Sequence, residues 1–319
     1  MLFFTKTCIY DASKNETLIY GHSIKEITHI SLDISHTWLS CPDRFDFLIC
    51  IQGRLSTIEK ISFGLEHTHL ITLTHLSCEY PFEKADLGLT IISTMCKQYS
   101  HRLEEWIQYN LKLGFTGILI FNNDGNRLNM LNEGRGSNKS MDAICKKWPN
   151  QVCMVDFPYA PLPGNHWNTI QSSSLQIGVA ALRSTATSIA LIDADEFIYL
   201  PKNPMQSIQS FLKAHSKTIT IKSNLLTNKG DSDIINNNVL DLATYIGIDK
   251  FTKTILHTPD LAPYEFIVNP HEHPNETILS KEDIIHYHCW MNKRCPYDSN
   301  MRNFTGLRDF FHTTDKSAK

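Results

Sequence analysis

The sequence has no long hydrophobic run. Nothing in it approaches the roughly 18 apolar residues of a membrane-crossing helix, so no transmembrane segment is expected. It has no field of one charge either. Net charge is -3 over 319 residues, and without a basic patch no nucleic-acid partner is expected. The nine cysteines form no CxxC pair and no regular framework, which points to reduced, mostly buried thiols in a cytosolic compartment. The opening residues, MLFFTKTC, turn polar too soon for a signal peptide, so a cytoplasmic location is the expectation. Internal repeats and low-complexity tracts are missing as well. What remains is the composition of an ordinary globular chain, long enough for one large domain or a medium one with a small one.

What is present is histidine, fifteen of them, and one stretch with chemistry in it. Residues 188–200 read SIALIDADEFIYL: an apolar run, then Asp193-Ala194-Asp195-Glu196, then a second apolar run. Short apolar runs bounded by polar residues fit a buried strand. In an extended backbone, Asp193 and Asp195 point the same way. Three acids in four residues repel one another unless something neutralises them, and a divalent cation is the usual remedy. A solvated acidic turn would carry the same letters.

Residues 1–88 hold short segments of β character with turn signals between them, which reads as a small antiparallel β module. Residues 89–319 alternate strand and helix. An apolar strand at 90–95 leads to a helix that Ser100 can cap, with Leu103, Trp106, Ile107, Asn110 and Leu111 on one face and Gly114 at its end. The next strand is 117–121. Such a β-α-β unit implies parallel strands, and so an α/β fold. The polar turn from Asn122 to Asn126 then falls at a strand's carboxyl end, where open α/β sheets bind ligands, although Asn, Asp and Gly favour turns in any case. Further helices are expected at 138–147, 166–183 and 204–215, and strands at 151–157 and 218–222. The polar run 229–238, with Asp231 and Asp233, reads as a loop able to close over a substrate.

The last third carries His257, His271, His273, His286, His288 and His312. His286 and His288 sit at i and i+2 on an expected strand, and His271 and His273 repeat that spacing in a loop. Imidazole together with carboxylates suits manganese or zinc, whereas magnesium prefers oxygen alone. Lys250, Lys253, Lys293, Arg294 and Arg302 are near enough in sequence to neutralise phosphate oxygens.

At this point the residues resemble a family. TMCKQYSHRLEEWIQYNLKLGFTGILIFNNDGN resembles the first β-α-β of GT-A glycosyltransferases of the family 2-like and family 92 kind. SSLQIGVAALRSTATSIALIDADEFIYL is similar to their helix, strand and D-x-D-E-F signature. KFTKTILH resembles the lysine-bearing segment that follows, and His271–Pro274 and His286-Tyr287 resemble the later histidine elements. The resemblance covers about residues 89–311 and leaves the N-terminal module outside.

It implies a GT-A-like (Rossmann-like) open mixed sheet flanked by helices. It also implies sugar transfer from a nucleotide-diphosphate donor, with Mn2+ or Mg2+ on the diphosphate. By that carry-over Asp195 is the metal ligand, Asp193 contacts the ribose or the metal's water, and one of His271, His273 or His286 adds a ligand, His273 and His286 ranking first. Lys97, Asn122, Asn123 and Lys253 fall on the donor side. Relatives of family 92 invert configuration, which needs a general base, and Glu265, Glu272, Asp231 and Asp233 are its candidates. The acceptor would be a glycan or a lipid-linked hydroxyl, in the building of a surface polysaccharide. Lys97-Gln98-Tyr99 stands where the family has Lys-Asn-Glu, and Asn122 where many relatives have Asp. Two other readings stay open: a metal-dependent phosphohydrolase or nucleotidyltransferase, and a non-catalytic glycan- or subunit-binding protein on the same fold.

Overall fold

The computed structural model describes residues 2–11, 14–23, 29–41, 46–63, 66–72, 74–76, 88–97, 100–123, 141–161, 168–227, 238–267, 269–289 and 302–313. The run 229–237 with Asp231 and Asp233, and also Gln98, Tyr99, Asp124, Lys293 and Arg294, lie outside them.

The N-terminal region is all β. Its strands are β1 (Leu2–Asp11), β2 (Glu16–Ser23), β3 (Ile30–Leu32), β4 (His36–Cys41), β5 (Asp46–Gln52), β6 (Thr57–Phe63), β7 (Glu66–Thr72) and β8 (Thr74–Leu76). They form a five-stranded sheet, β4-β5-β2-β1-β8, and a three-stranded one, β3-β6-β7. Every pairing is antiparallel except β1 with β8.

The second region alternates. β9 (Leu89–Cys96), α1 (Ser100–Leu113) and β10 (Gly117–Asn122) are followed by α2 (Met141–Cys145), β11 (Val152–Asp156) and α3 (Asn168–Leu182). Next come β12 (Ala186–Ala190), β13 (Glu196–Tyr199), α4 (Ile208–Ala214), β14 (Ile219–Thr227) and α5 (Val239–Leu242). β15 (Tyr245–His257), β16 (Thr277–Ile278), β17 (Ile285–Cys289), β18 (Arg302–Asn303) and α6 (Gly306–His312) complete the chain. The large sheet runs β11-β10-β9-β12-β15-β14-β17-β13, with β16 and β18 paired to β14 and β15. The first four strands are parallel; β15 is antiparallel to β12 and β14, and β17 is parallel to β14. The architecture is therefore mixed α/β with a β-rich N-terminal region, and no helix of the described residues is long and apolar enough to cross a membrane.

Two helices fix the site. α1 buries Leu103, Trp106, Ile107 and Asn110, and Gly114 ends it at φ +101°, where glycine carries no Cβ penalty. β13 is the last strand of the sheet path among the described residues. Its carbonyls are satisfied from α1: Trp106 Nε1 donates to Glu196 O at 2.8 Å and the Tyr109 hydroxyl to Ile198 O at 2.7 Å.

α3 is buried almost all round, from Ile170 to Leu182, the mark of a helix with structure on both sides. Its neighbours are β9 and β12 on one side and β1 and β2 on the other. Ile9, Leu18, Tyr20, Leu48 and Cys50 of the N-terminal sheet share one apolar cluster with Leu175, Ile177, Val179 and Leu182 of α3 and with Ile91, Leu119 and Ile189 of the large sheet. Each such fully buried side chain contributes about 1.5–3 kcal/mol. Gly178 permits the contact: a Cβ there would lie 2.2 Å from Ser93 Oγ and 3.1 Å from Phe121 Cε2. Of the seven described cysteines, all but Cys153 are buried.

Candidate active site

From β9 the chain moves to β10 and β11 on one side, then returns to β12 on the other. The carboxyl ends of β9 and β12 thus flank a topological switch point, where open α/β sheets hold ligands. The acidic stretch leaves β12 at this point. Leu191 and Ile192 continue it, buried, with Leu191 N donating to Thr254 O at 3.0 Å.

The backbone then turns. Glu196 N donates to Asp193 O at 3.0 Å, and Asp193 N donates to Glu196 Oε2 at 2.9 Å. Asp193 and Asp195 therefore do not point the same way, as an extended chain would have them do. The reciprocal hydrogen bonds close a tight turn, and the turn separates the acids. Asp193 Oδ1 accepts from Gln171 Nε2 at 2.6 Å, and Oδ2 lies 2.5 Å from Lys253 Nζ. Glu196 Oε2 lies 3.2 Å from the same ammonium. Asp195 faces the other way, with Oδ2 3.7 Å from His288 Nε2.

Lys253 is thus a buried countercharge, 1% exposed, and not an exposed phosphate ligand. Burial works against its charge, but Asp193 and Glu196 outweigh that and hold its pKa above the usual value. Burial pushes the Glu196 carboxyl up, against the pull of Lys253. His288 is the second cation. Burial opposes it, yet Asp195 on one side and Asp249 on the other raise its pKa to about 11. Asp249 Oδ2 lies 3.6 Å from His288 Nδ1. Burial would raise the Asp249 carboxyl, but the nearby His288 imidazole, Ser223 and the backbone N–H groups of Lys250 and Phe251 hold it well below the usual range.

Two imidazoles near this cluster are kept neutral. His286 on β17 is fully buried, and burial, with Lys253 nearby, holds its pKa well below the usual value. Among the described residues neither of its ring nitrogens has a hydrogen-bond partner, and Nδ1 stands 3.7 Å from Glu196 Oε1. His271 is lowered by burial too, and its Nδ1 donates to Thr252 O at 2.6 Å, which leaves Nε2 as the lone-pair nitrogen.

The other expected residues are placed as follows. Lys97 and Asn122 stand at the ends of β9 and β10. Asn123 is buried, its amide donating to Phe157 O at 2.6 Å and Tyr159 O at 3.0 Å, so it stitches the ends of β10 and β11 together. His273 pairs with Glu265, Nε2 to Oε1 at 2.8 Å, though their relative direction is not that of a hydrogen bond. Glu265 also accepts from Ala262 N and lines a cavity of about 320 Å³ with β1, β2 and the C-terminal half of α3. Glu272 is exposed and accepts from Asn269. The structure groups Asp193, Asp195, Lys253 and His286, and engages His273, Glu265 and Glu272 elsewhere.

Gln171 and Asp249 were not singled out by sequence reasoning. Gln171 carries no motif. Asp249 precedes Lys253 by four positions on a strand whose register breaks there: the three residues 249–251 of β15 stand opposite the single residue Ser223 of β14. Such a bulge re-aims side chains and is common beside active sites.

Among the described residues no three His, Cys, Asp or Glu side chains converge as a ready-made metal centre. The donor types do fit a divalent ion: a carboxylate at the switch point, Asp195, and neutral imidazoles at His271 and His286. No protein-family model matches the chain, and no curated protein does.

Proposed function

We propose that the chain is a divalent-metal-dependent glycosyltransferase, moving a sugar from a nucleotide-diphosphate donor, most simply a UDP-sugar, to a hydroxyl of a glycan or lipid-linked acceptor. The observation that carries this reading is the division of labour among the acids. Asp193 and Glu196 are balanced by Lys253 inside the fold, while Asp195 is turned away from them at the sheet's switch point. The alternation of parallel strands and helices over the resembling residues supports it as well.

In this reading Lys97 and Asn122 border the nucleotide side. Asp195, with an imidazole of His271 or His286, would hold Mn2+ or Mg2+. When bound, the ion stabilises the negative charge that develops on the leaving diphosphate. Lys253 and Gln171 fix Asp193, and so the turn that aims Asp195. Asp249 holds His288 beside Asp195 and keeps that flank of the site charged. An inverting transfer needs a base near the acceptor hydroxyl, and Asp249, held so acidic, makes a hydrogen-bond acceptor rather than a base.

Calorimetric titration with UDP, with and without Mn2+, tests the proposal. UDP binding that requires the metal is the expected result, and no UDP binding under either condition overturns it. One observation favours a second reading, a non-catalytic glycan-binding protein: both Asp193 oxygens are already engaged. Sugar binding without UDP binding would select that reading. Phosphate release from simple esters would select the phosphohydrolase.

A further inference from the structure

Phe251 is 53% exposed, one of few large apolar side chains left in water among the described residues. The others, Leu39, Met205 and Ile278, belong to β4, the turn before α4, and β16. Phe251 instead stands on the β15 bulge, beside the acidic turn. Its ring centroid lies 5.9 Å from that of His271 and 6.4 Å from that of His288. The backbone beneath it is fixed: Ser223 Oγ donates to Phe251 O at 2.7 Å, and Phe251 N donates to Asp249 Oδ1 at 3.4 Å. The bulge thus holds an aromatic ring in solvent, with imidazoles on two sides.

A rigid aromatic ring held in water beside a candidate site offers a flat apolar face for stacking. A pyranose has the matching chemistry. Its C–H face lies flat on an aromatic ring while its equatorial hydroxyls reach carboxylates and imidazoles at the edge. A nucleobase could stack on Phe251 too, but the crevice for a nucleotide lies between the ends of β9 and β12, and Phe251 is on the opposite, β15–β17 flank of the acidic turn. We infer that Phe251 is the platform of a sugar subsite, on which a pyranose of the acceptor stacks with its hydroxyls toward His271 and His288. The acceptor role rests on the glycosyltransferase reading; the platform is tested without it.

The test is saturation-transfer NMR on the full chain, with methyl β-glucoside, methyl β-galactoside and N-acetylglucosamine as probes. The wild type, Phe251→Ala and Phe251→Trp are compared, and UDP with Mn2+ is titrated into each. The expected result is transfer from the wild type to the C–H face of at least one probe. That signal is retained in Phe251→Trp and weakened about tenfold or more in Phe251→Ala, while UDP binding is unchanged in all three. Because the side chain is exposed, neither change threatens folding, and equal thermal midpoints verify this. Absence of any sugar signal in the wild type, or an equal signal in Phe251→Ala, overturns the platform even where UDP binds. Loss of UDP binding in Phe251→Ala overturns it in favour of a nucleobase stack. A Phe251-dependent sugar signal in a protein that binds no UDP sustains the platform and fails the glycosyltransferase reading alone.

Discussion

Lys253 lies between two carboxylates with 1% of its side chain exposed, so its loss is the costly single change at the site. Lys253→Met keeps the stem and removes the charge, leaving Glu196 buried without its cation. Breaking a buried pair in this way costs about 3–5 kcal/mol, with Asp193 contributing less because it is partly solvated. Urea unfolding should show that loss, and a change below about 1 kcal/mol would mean that the pair is not structural. Asp195→Asn should behave in the opposite manner. Its thermal midpoint stays near wild type, while transfer falls by roughly a hundredfold or more, about 3 kcal/mol of lost charge stabilisation. Near-wild-type turnover at saturating Mn2+ would sink that role. Among the imidazoles, the Mn2+ concentration giving half-maximal transfer should rise in His271→Ala and His286→Ala and stay put in His273→Ala. The letters DADEF drew attention to this stretch, but did not show the turn it makes or how its acids divide. That division depends on a lysine sixty positions later and a glutamine twenty-two earlier, contacts that no local pattern encodes.

At the scale of elements, α5 is only four residues long, too short to hold itself. It is held by Glu105 of α1, whose carboxylate accepts from Val239 N at 2.7 Å and Leu240 N at 2.9 Å. Burial pushes the Glu105 pKa from 4.5 up to about 7; the two N–H groups and Arg102 pull it down, and Asp241 adds to the rise. The native state therefore binds this proton more tightly than the unfolded chain. The resulting stability is fully present below pH 4.5 or so and is lost as pH rises through about 7, on the order of 3 kcal/mol at most. Thermal midpoints of Glu105→Gln should lose this slope between pH 4.5 and 7.5, and an unchanged slope would assign it to other groups. α1 itself was legible, because its apolar spacing and terminal glycine agree with one another. β15 was not, since its bulge breaks the alternation a strand is recognised by, and α5 has too few residues to show any period.

For the whole molecule, the N-terminal sheet was legible as a β-rich module, yet its union with the rest was not. The helix that joins them, with serines at 172–174 and glycine at 178, looks amphipathic by no rule and is buried because both sides are occupied. A shared core predicts a single calorimetric transition on heating, and two resolved transitions would show the regions to be independent. Gly178→Val should lower that one transition by several degrees or more, since the added atoms meet Ser93 and Phe121. The sandwiched helix has a further consequence, in time rather than space. The first sheet is complete once Leu76 has been synthesised, but its covering helix ends only at Leu182. At roughly 5–20 residues per second the apolar face waits on the order of ten seconds before its partner exists. During that interval the nascent chain is a sticky half-sandwich, and its yield in a cell should depend on what shelters that face while translation catches up.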